Sequence, residues 1–407
     1  MLRLAPRMDM RNIGSASAMP LAIALAFFGC RDGLMQPKDA SVGVLGPGGG
    51  TADSGGAVGG AGGADSAVSG PDSGSGNGAI VWTQSSGSPV GDWQAVASSS
   101  DGTRLVAVDS RTIYTSGDSG ATWSIPPSSP MDNWTSVASS ADGTRLIAVG
   151  MEQGPALMSD GSWKYGYVYT SSDSGATWAQ TGTQGSWTGV ASSADGTKLV
   201  AVSSDGDIYA STDSGATWTD RTNSPRGPFL LWSSVASSAD GTKLVAAGSS
   251  EGVTDWPLGY ICTSWDSGAT WTQRGTLQSW QSLASSADGA KLIAVAGDRV
   301  DPGYIYTSGD SGATWTQTGT AQFWVSVASS ADGTKLVAAT RTLVTGELNP
   351  GYIYVSADSG ATWTQTGTAQ NWTSVASSAD GDKLVATDSF GSNGAGGYIY
   401  TFSRSTP

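Results

Sequence analysis

Two short alternating patterns recur along most of the chain, and neither has helical spacing. The first starts at a tryptophan and reads Trp-x-Ser-Val-Ala-Ser-Ser-Ala-Asp-Gly-Thr-Lys-Leu-Val-Ala, with copies beginning at Trp93, Trp134, Trp187, Trp232, Trp280, Trp324 and Trp372. The second reads Tyr-Ile-Tyr-Thr-Ser-x-Asp-Ser-Gly-Ala-Thr-Trp-Thr-Gln, with its aspartate at Asp118, Asp173, Asp213, Asp266, Asp310 and Asp358. In the first block a strand of small residues enters an Asp-Gly hairpin turn and leaves as Lys-Leu-Val-Ala. In the second, Tyr-Ile-Tyr-Thr alternates as a half-buried strand does, turns at Asp-Ser-Gly and returns as Thr-Trp-Thr-Gln. Each repeat of roughly 47 residues therefore holds four antiparallel strands, here named a to d, which predicts an all-β propeller of four-stranded blades.

The ends of the repeat region set the blade count and the closure. The first block occurs seven times and the second six, because the last repeat stops after its strand c at Tyr398-Ile399-Tyr400-Thr401. Ahead of the first strand a lies Ile80-Val81-Trp82-Thr83-Gln84, which matches the Ala-Thr-Trp-Thr-Gln of a strand d. A seven-bladed ring closed by the N-terminal strand completing the last blade leaves no open edge between first and last blades.

The block Ser-x-Asp-Ser-Gly-Ala-Thr-Trp, as at Ser116–Trp123 and Ser171–Trp178, resembles the Asp-box of bacterial neuraminidase repeats. In that superfamily the box sits at the turn between strands c and d. Six copies in register over most of the chain make the resemblance specific for architecture. It leaves chemistry open, because sialidases, xyloglucanases, sortilin-like receptors and photosystem assembly factors share the box. The Asp carboxylate and Ser hydroxyl suit the turn's own backbone, glycine permits positive φ and tryptophan covers the hairpin. These aspartates read as structure, and so do those of the Asp-Gly turns.

The resemblance also implies what a sialidase would require: three arginines for a substrate carboxylate, a Tyr nucleophile with a Glu partner and an Asp acid/base. The Arg-Ile-Pro motif that begins such a site is absent, and eleven of the twelve tyrosines fall in strand c. Xyloglucanases of this type place catalytic aspartates between two propellers, whereas this chain holds repeats for one. No catalytic residue is assigned.

In a propeller the a–b and c–d turns share one face, and the b–c and d–a connections share the other. Here the first set barely varies between repeats. The b–c connections range from the minimal Val202–Ile208 to long insertions at Gly150–Gly166 and Gly248–Gly259. Variable loops on a rigid frame are where binding sites usually lie. Fourteen of the 17 tryptophans are accounted for by the repeat as core, and Trp265 lies inside one Asp-box. Trp163 and Trp256 alone are loop-borne, beside Lys164 and Tyr165 in one loop and Asp255 in the other. They are candidate walls of a ligand site, with Lys164, Tyr165, Glu152, Glu251, Arg221 and Arg226 as candidate contacts. The expected function is non-catalytic recognition of a glycan or protein. The alternative is a glycoside hydrolase using Glu152, Glu251 or Glu347 with a nearby Asp.

Composition narrows the chemistry. There is no histidine, so Ser-His-Asp, Cys-His and His-ligated metal sites are excluded. A net charge of −14 supplies no footprint for nucleic acid. No cofactor, metal or oligomer is expected. Cys262 replaces the second Tyr of a strand c and reads as a small buried thiol.

Residues 1–30 read as an export signal, with Arg3, Arg7 and Arg11 ahead of the apolar run Ala18–Phe28. The run ends in Phe27-Phe28-Gly29-Cys30, which resembles a lipobox whose cysteine is lipidated, although Phe27 departs from the usual Leu. An ordinary cleaved signal with an incidental cysteine is the alternative, and Met8 or Met10 are alternative starts. Residues 31–78 are rich in Gly, Ser, Ala and Asp and cannot bury enough apolar surface to order, so they read as a flexible tether before a propeller over 79–407. The implied location is the bacterial cell envelope, reached by export and held by lipid.

Overall fold

The Trp-x-Ser-Val blocks fold as strands a at Trp93–Ser98, Trp134–Ser139, Trp187–Ser192, Leu230–Ser237, Trp280–Ser285, Trp324–Ser329 and Trp372–Ser377. The computed structural model describes residues 81–151, 166–222, 230–250, 259–297, 301–344, 347–389 and 396–403. The proposed signal and tether lie outside them. Each strand a pairs antiparallel with a strand b, then c, then d. Strands a of successive blades lie side by side, and the cycle closes because Trp372–Ser377 lies beside Trp93–Ser98. The molecule is a seven-bladed β-propeller. Blade one is the least regular, its strand d reduced to a bridge between Thr115 and Ser124.

The last blade is built from both ends of the repeat region. Thr83–Gln84 pairs with Ile399–Ser403, placing Thr83 opposite Thr401 and Gln84 opposite Tyr400. Trp82 packs on Trp372 and Phe402 at ring-centroid distances of 6.2 and 5.9 Å. Its indole N–H donates to Thr366 Oγ1 of blade six at 3.2 Å. A second stitch follows, where Gly91 and Gly397 exchange backbone hydrogen bonds of 3.1 and 2.9 Å.

The core lies between blades. Strand b has a neighbouring blade on each side, so Leu-Ile-Ala-Val-Gly at Leu146–Gly150 is buried at every position and reads as a continuous apolar run rather than an alternating one. One such layer joins Val106, Val108 and Ile113 of blade one to Trp134, Val137 and Leu146 of blade two. The strand-a tryptophans are 0–2 % exposed. The tryptophans of the c–d turns are not equally deep, and Trp123, Trp178, Trp218, Trp315 and Trp363 are only half-buried. They stand on the outermost strand, where each packs against the layer shared with the preceding blade.

Both repeated turns differ in detail from a simple two-residue hairpin. In the a–b turn Gly102 N–H donates to Ser99 C=O at 3.0 Å, and Ser99 N–H donates to Arg104 C=O at 2.8 Å. Gly102 has φ +67°, but Asp101 is not left-handed, whereas a type I′ turn requires both central residues to be so. The Asp101 carboxylate accepts from Ser99 Oγ at 2.6 Å and Thr103 N–H at 2.9 Å. In the c–d turn Ser119 shares the left-handed region with Gly120, at φ +59° and +87°. A serine there is strained, and Asp118 offsets the strain by accepting from Thr122 N–H at 2.8 Å and Thr122 Oγ1 at 2.6 Å.

The a–b turns also bind the blades to one another. Ser100 N–H donates to Ala141 C=O, Ala141 to Ala194, Ala194 to Ala239, Ala239 to Ala287, Ala287 to Ala331, Ala331 to Ala379 and Ala379 back to Ser100, each at 2.7 Å. The basic residue after each turn reaches the following blade, as Lys198 Nζ does in donating to Asp240 C=O at 2.8 Å. Its stem lies so close to the next Asp-Gly turn that a β-carbon on Gly241 would sit 2.7 Å from Lys198 Cβ. The glycine is thus required twice, by its backbone conformation and by its neighbour.

Replacing Trp82 by alanine should lower the stability of the propeller by about 3 kcal/mol, the lower end of the range for a large aromatic because the ring is half-buried. A chain starting at Asp92 should lose more, since it uncovers the edge of Ile399–Ser403. Thermal melts of the two against a chain starting at Gly78 check this, and equal melting of all three would refute closure by the N-terminal strand.

Candidate functional site

The face formed by the b–c and d–a connections is positioned by the tryptophans that open strands a. Three of their indole N–H groups donate to the b–c connection of the preceding blade: Trp93 to Gly397 C=O at 3.2 Å, Trp134 to Arg111 C=O at 3.2 Å and Trp232 to Gly206 C=O at 3.1 Å. The core residue that packs two blades together therefore also holds the variable loop above them.

On blades seven and one this face carries three carboxylates that the repeat pattern did not mark out. Strand b ends opposite the tryptophan of strand a, and the residue there is Asp109 in blade one and Asp388 in blade seven. The other blades carry Gly150, Ser203, Gly248, Ala296 and Thr340. That internal comparison was the available signal. Asp109 Oδ1 accepts from Arg111 N–H at 2.7 Å and Thr112 N–H at 2.6 Å, which ties down the short b–c loop. Tyr114 OH donates to Asp109 Oδ2 at 3.2 Å. Asp388 accepts from Tyr398 N–H across its own loop.

Asp92, just before strand a, is different. Its Oδ1 is buried and has no hydrogen-bond partner among the described residues. Burial first, and the charge of Asp109 second, raise its pKa to about 6. Burial also raises Asp388 to about 6, against the opposing effect of the Tyr398 N–H. Tyr400 is pushed well above its ordinary value by burial and by Asp388. The turn aspartates behave oppositely, with Asp101, Asp142, Asp195 and Asp240 held at about 2 by hydrogen bonds from serine, then threonine.

Of the residues singled out from sequence, Glu152, Trp163, Lys164, Tyr165, Arg226, Glu251 and Trp256 lie outside the described residues, as does Cys30. Arg221 is described. Its N–H donates to Ile208 C=O at 2.7 Å, and its stem runs down the crevice between blades three and four, with Cγ 3.7 Å from where a β-carbon on Gly268 would stand. Threonines fill that place elsewhere, such as Thr115 beside Gly175 and Thr263 beside Gly312. Blade three has Ala210 instead, and the arginine stem occupies the room. Glu347 begins Glu347–Asn349, which pairs with Thr342–Val344 as a separate hairpin on the b–c connection of blade six. Cys262 is a buried thiol outside any disulfide.

Neither a protein-family model nor a curated protein sequence matches the chain. Solved structures do. A xyloglucanase of Xanthomonas campestris superposes with a TM-score of 0.56 at 15 % identity over 79 % of this chain, and the chain spans about half, 53 %, of that enzyme. YCF48 from Cyanidioschyzon merolae superposes with a TM-score of 0.54 at 16 % identity, over 79 % of this chain and 98 % of its own. A YCF48 bound to D1 peptide gives 0.52 at 15 % identity, over 80 % and 97 %. At these identities the likeness is one of fold, and that fold serves both a glycosidase and a peptide-binding protein.

The two sets of carboxylates set opposite pH responses. Asp92 and Asp388 bind protons more tightly in the folded state than at the ordinary value of 3.8. Their contribution to stability is complete below that value and is lost as pH rises through about 6. The turn aspartates contribute above 3.8 and lose that contribution as pH falls through about 2. The melting temperature should peak at about pH 4–5, decline as pH rises through about 6 and level off above about pH 7. Asp92→Asn with Asp388→Asn should flatten the decline on the alkaline side, as read by melts across that range.

Proposed function

We propose that the chain is an exported, non-catalytic binding module of the Asp-box propeller superfamily that recognises a glycan or a protein through its b–c and d–a face. The contrast between faces carries this reading. The a–b turns repeat the same hydrogen bond from N–H to C=O at 2.7 Å seven times, so a ligand finds little there to tell one blade from the next. The strand-b ends on the other side differ from blade to blade, and the described loops there close in different ways. Asp109 and Asp388 are occupied in holding loops, which is a structural use of a carboxylate. The peptide bound by YCF48 supports a protein partner, and the xyloglucanase supports a glycan.

On this reading Trp163, Tyr165 and Trp256 wall the site, with Glu152, Lys164, Arg226 and Glu251 as polar contacts. Trp163→Ala and Trp256→Ala should each weaken binding by at least about 1 kcal/mol while leaving the melting temperature nearly unchanged. Asp173→Ala should do the reverse, because Asp173 accepts from Thr177 and Ser171 within its own turn. A glycan array and a pull-down comparing the two sets decide it, and loss of ligand only in folded turn variants would assign recognition to the other face.

A hydrolase is the second reading, and the raised pKa of Asp92 favours it, since a general acid requires a carboxyl whose pKa is lifted towards neutrality. Release of reducing sugar that Asp92→Asn abolishes would establish it.

Display from the cell envelope through a lipidated Cys30 completes the proposal. The mature protein should partition into detergent and carry acyl mass on its N-terminal cysteine, and Cys30→Ser should release it. A soluble, unmodified mature chain would restore the plain signal-peptide reading.

A further inference from the structure

Blade four departs from the repeat at two positions that the c–d hairpin brings together. At the x of Ser-x-Asp-Ser-Gly the blades carry Gly117, Ser172, Thr212, Trp265, Gly309 and Ala357. Three positions after the turn tryptophan, where Thr181, Thr318 and Thr366 stand in three blades and Arg221 in blade three, blade four carries Arg274. Trp265 is 57 % exposed, more than any other aromatic side chain among the described residues. The Arg274 guanidinium lies over its ring, 5.9 Å from the centroid. Arg274 pairs with Ile261 in the ladder, so its side chain reaches back along the hairpin to the turn.

The two replacements act as a unit. Only blade four has both: small residues fill the first position in the other five turns, and Arg221, at the second position of blade three, has Thr212 rather than an indole at the first. Exposing an indole costs hydrophobic free energy, and the c–d turn gains nothing from it, because Asp266 makes the same bonds to Thr270 and Ser264 as its counterparts do. A cation over one ring face orients the indole and leaves the opposite face and the ring edge to solvent. We propose that Trp265 with Arg274 forms a second carbohydrate-binding platform, on the outer rim of blade four and on the face opposite the variable loops. A pyranose ring stacks its C–H face on the open side of the indole. The guanidinium donates to ring or hydroxyl oxygens at the edge, and its fixed fork of donors suits paired oxygens.

The chemistry around the pair selects the ligand class. The residues that flank the pair along the hairpin, the exposed Asp266, Thr272 and Gln273 and the half-buried Ser267, are polar rather than an apolar collar. A hydrated sugar chain suits such a rim better than a protein face, whose anchors are ringed by groups that exclude water. A neutral polysaccharide is favoured over an acidic one, because the chain carries −14 overall and the same face holds the lowered carboxylates of the turns.

Affinity electrophoresis of the full chain tests this, in gels containing xyloglucan, galactomannan or mixed-linkage β-glucan, with alginate as the acidic control. The parent is the double variant Trp163→Ala/Trp256→Ala, which silences the proposed variable-face site. It should still be retarded by at least one neutral polysaccharide. Adding Trp265→Ala should weaken that retardation at least about tenfold, while Trp265→Tyr retains most of it and melting temperatures stay equal. If the double variant is not retarded by any neutral polysaccharide, or if Trp265→Ala changes nothing, the platform is refuted and the variable-face reading is untouched. Retardation by alginate alone refutes the neutral-sugar assignment. Failure of the variable-face reading would show separately, as unchanged ligand binding when Trp163 and Trp256 are replaced in the wild-type chain.

Discussion

A closed circle of seven peptide hydrogen bonds joins the a–b turns, and the rest of the propeller depends on that circle being complete. Each bond is worth only about 0.5–1.5 kcal/mol net, and each lies between residues of different blades. None forms in an isolated repeat. Around the same turns the basic side chains reach forward one blade, and serines in strands a bridge to the neighbouring backbone, as Ser374 Oγ does in accepting from Val96 N–H at 3.2 Å. Two blades lack that serine, with Ala95 and Gly189 in its place. The ring tolerates them because the peptide circle does not use side chains.

Closure follows from the same constraint. A solenoid of these blades would expose an apolar face at each end. Here the face of the last blade meets that of the first, through Trp93, Val96 and Tyr114 against Ala376, Val385 and Ile399. The cost is a seam held by contacts between the two ends of the repeat region. Beside that seam stand the half-buried Asp92 and Asp109, which act on one another, and blade seven carries the buried Asp388. The two demands meet at one place, since Gly397 both accepts from Trp93 Nε1 and stands against the Asp388 carboxylate, 2.7 Å from Oδ1 to its would-be β-carbon.

A frame repeated this uniformly separates stability from recognition. The turns that carry the repeat motif spend their polar groups on themselves, so the residues free to vary are those the circle does not use. Fold alone does not say which chemistry such positions serve, and the structural neighbours include both a glycosidase and a peptide binder.

Strand spacing, blade number and the donated N-terminal strand are determined by the sequence itself, because each depends on a local pattern repeated many times. Trp82 could be recognised as a strand-d residue by matching it to six others. The turn geometry was only partly readable: Asp-Gly announced a hairpin, but the left-handed serine at Ser119 and its counterparts depends on hydrogen bonds the pattern does not display. The tertiary structure alone decided which exceptional residues meet. Gly91 and Gly397 are far apart in the chain and exchange hydrogen bonds only when blade seven closes on blade one. Trp265 and Arg274 acquire meaning only when the hairpin brings guanidinium to ring, and Arg221 only when blade three leaves room beside Gly268. A repeat fixes what every blade shares, whereas a site depends on what a few blades do differently and on which of them the ring sets side by side.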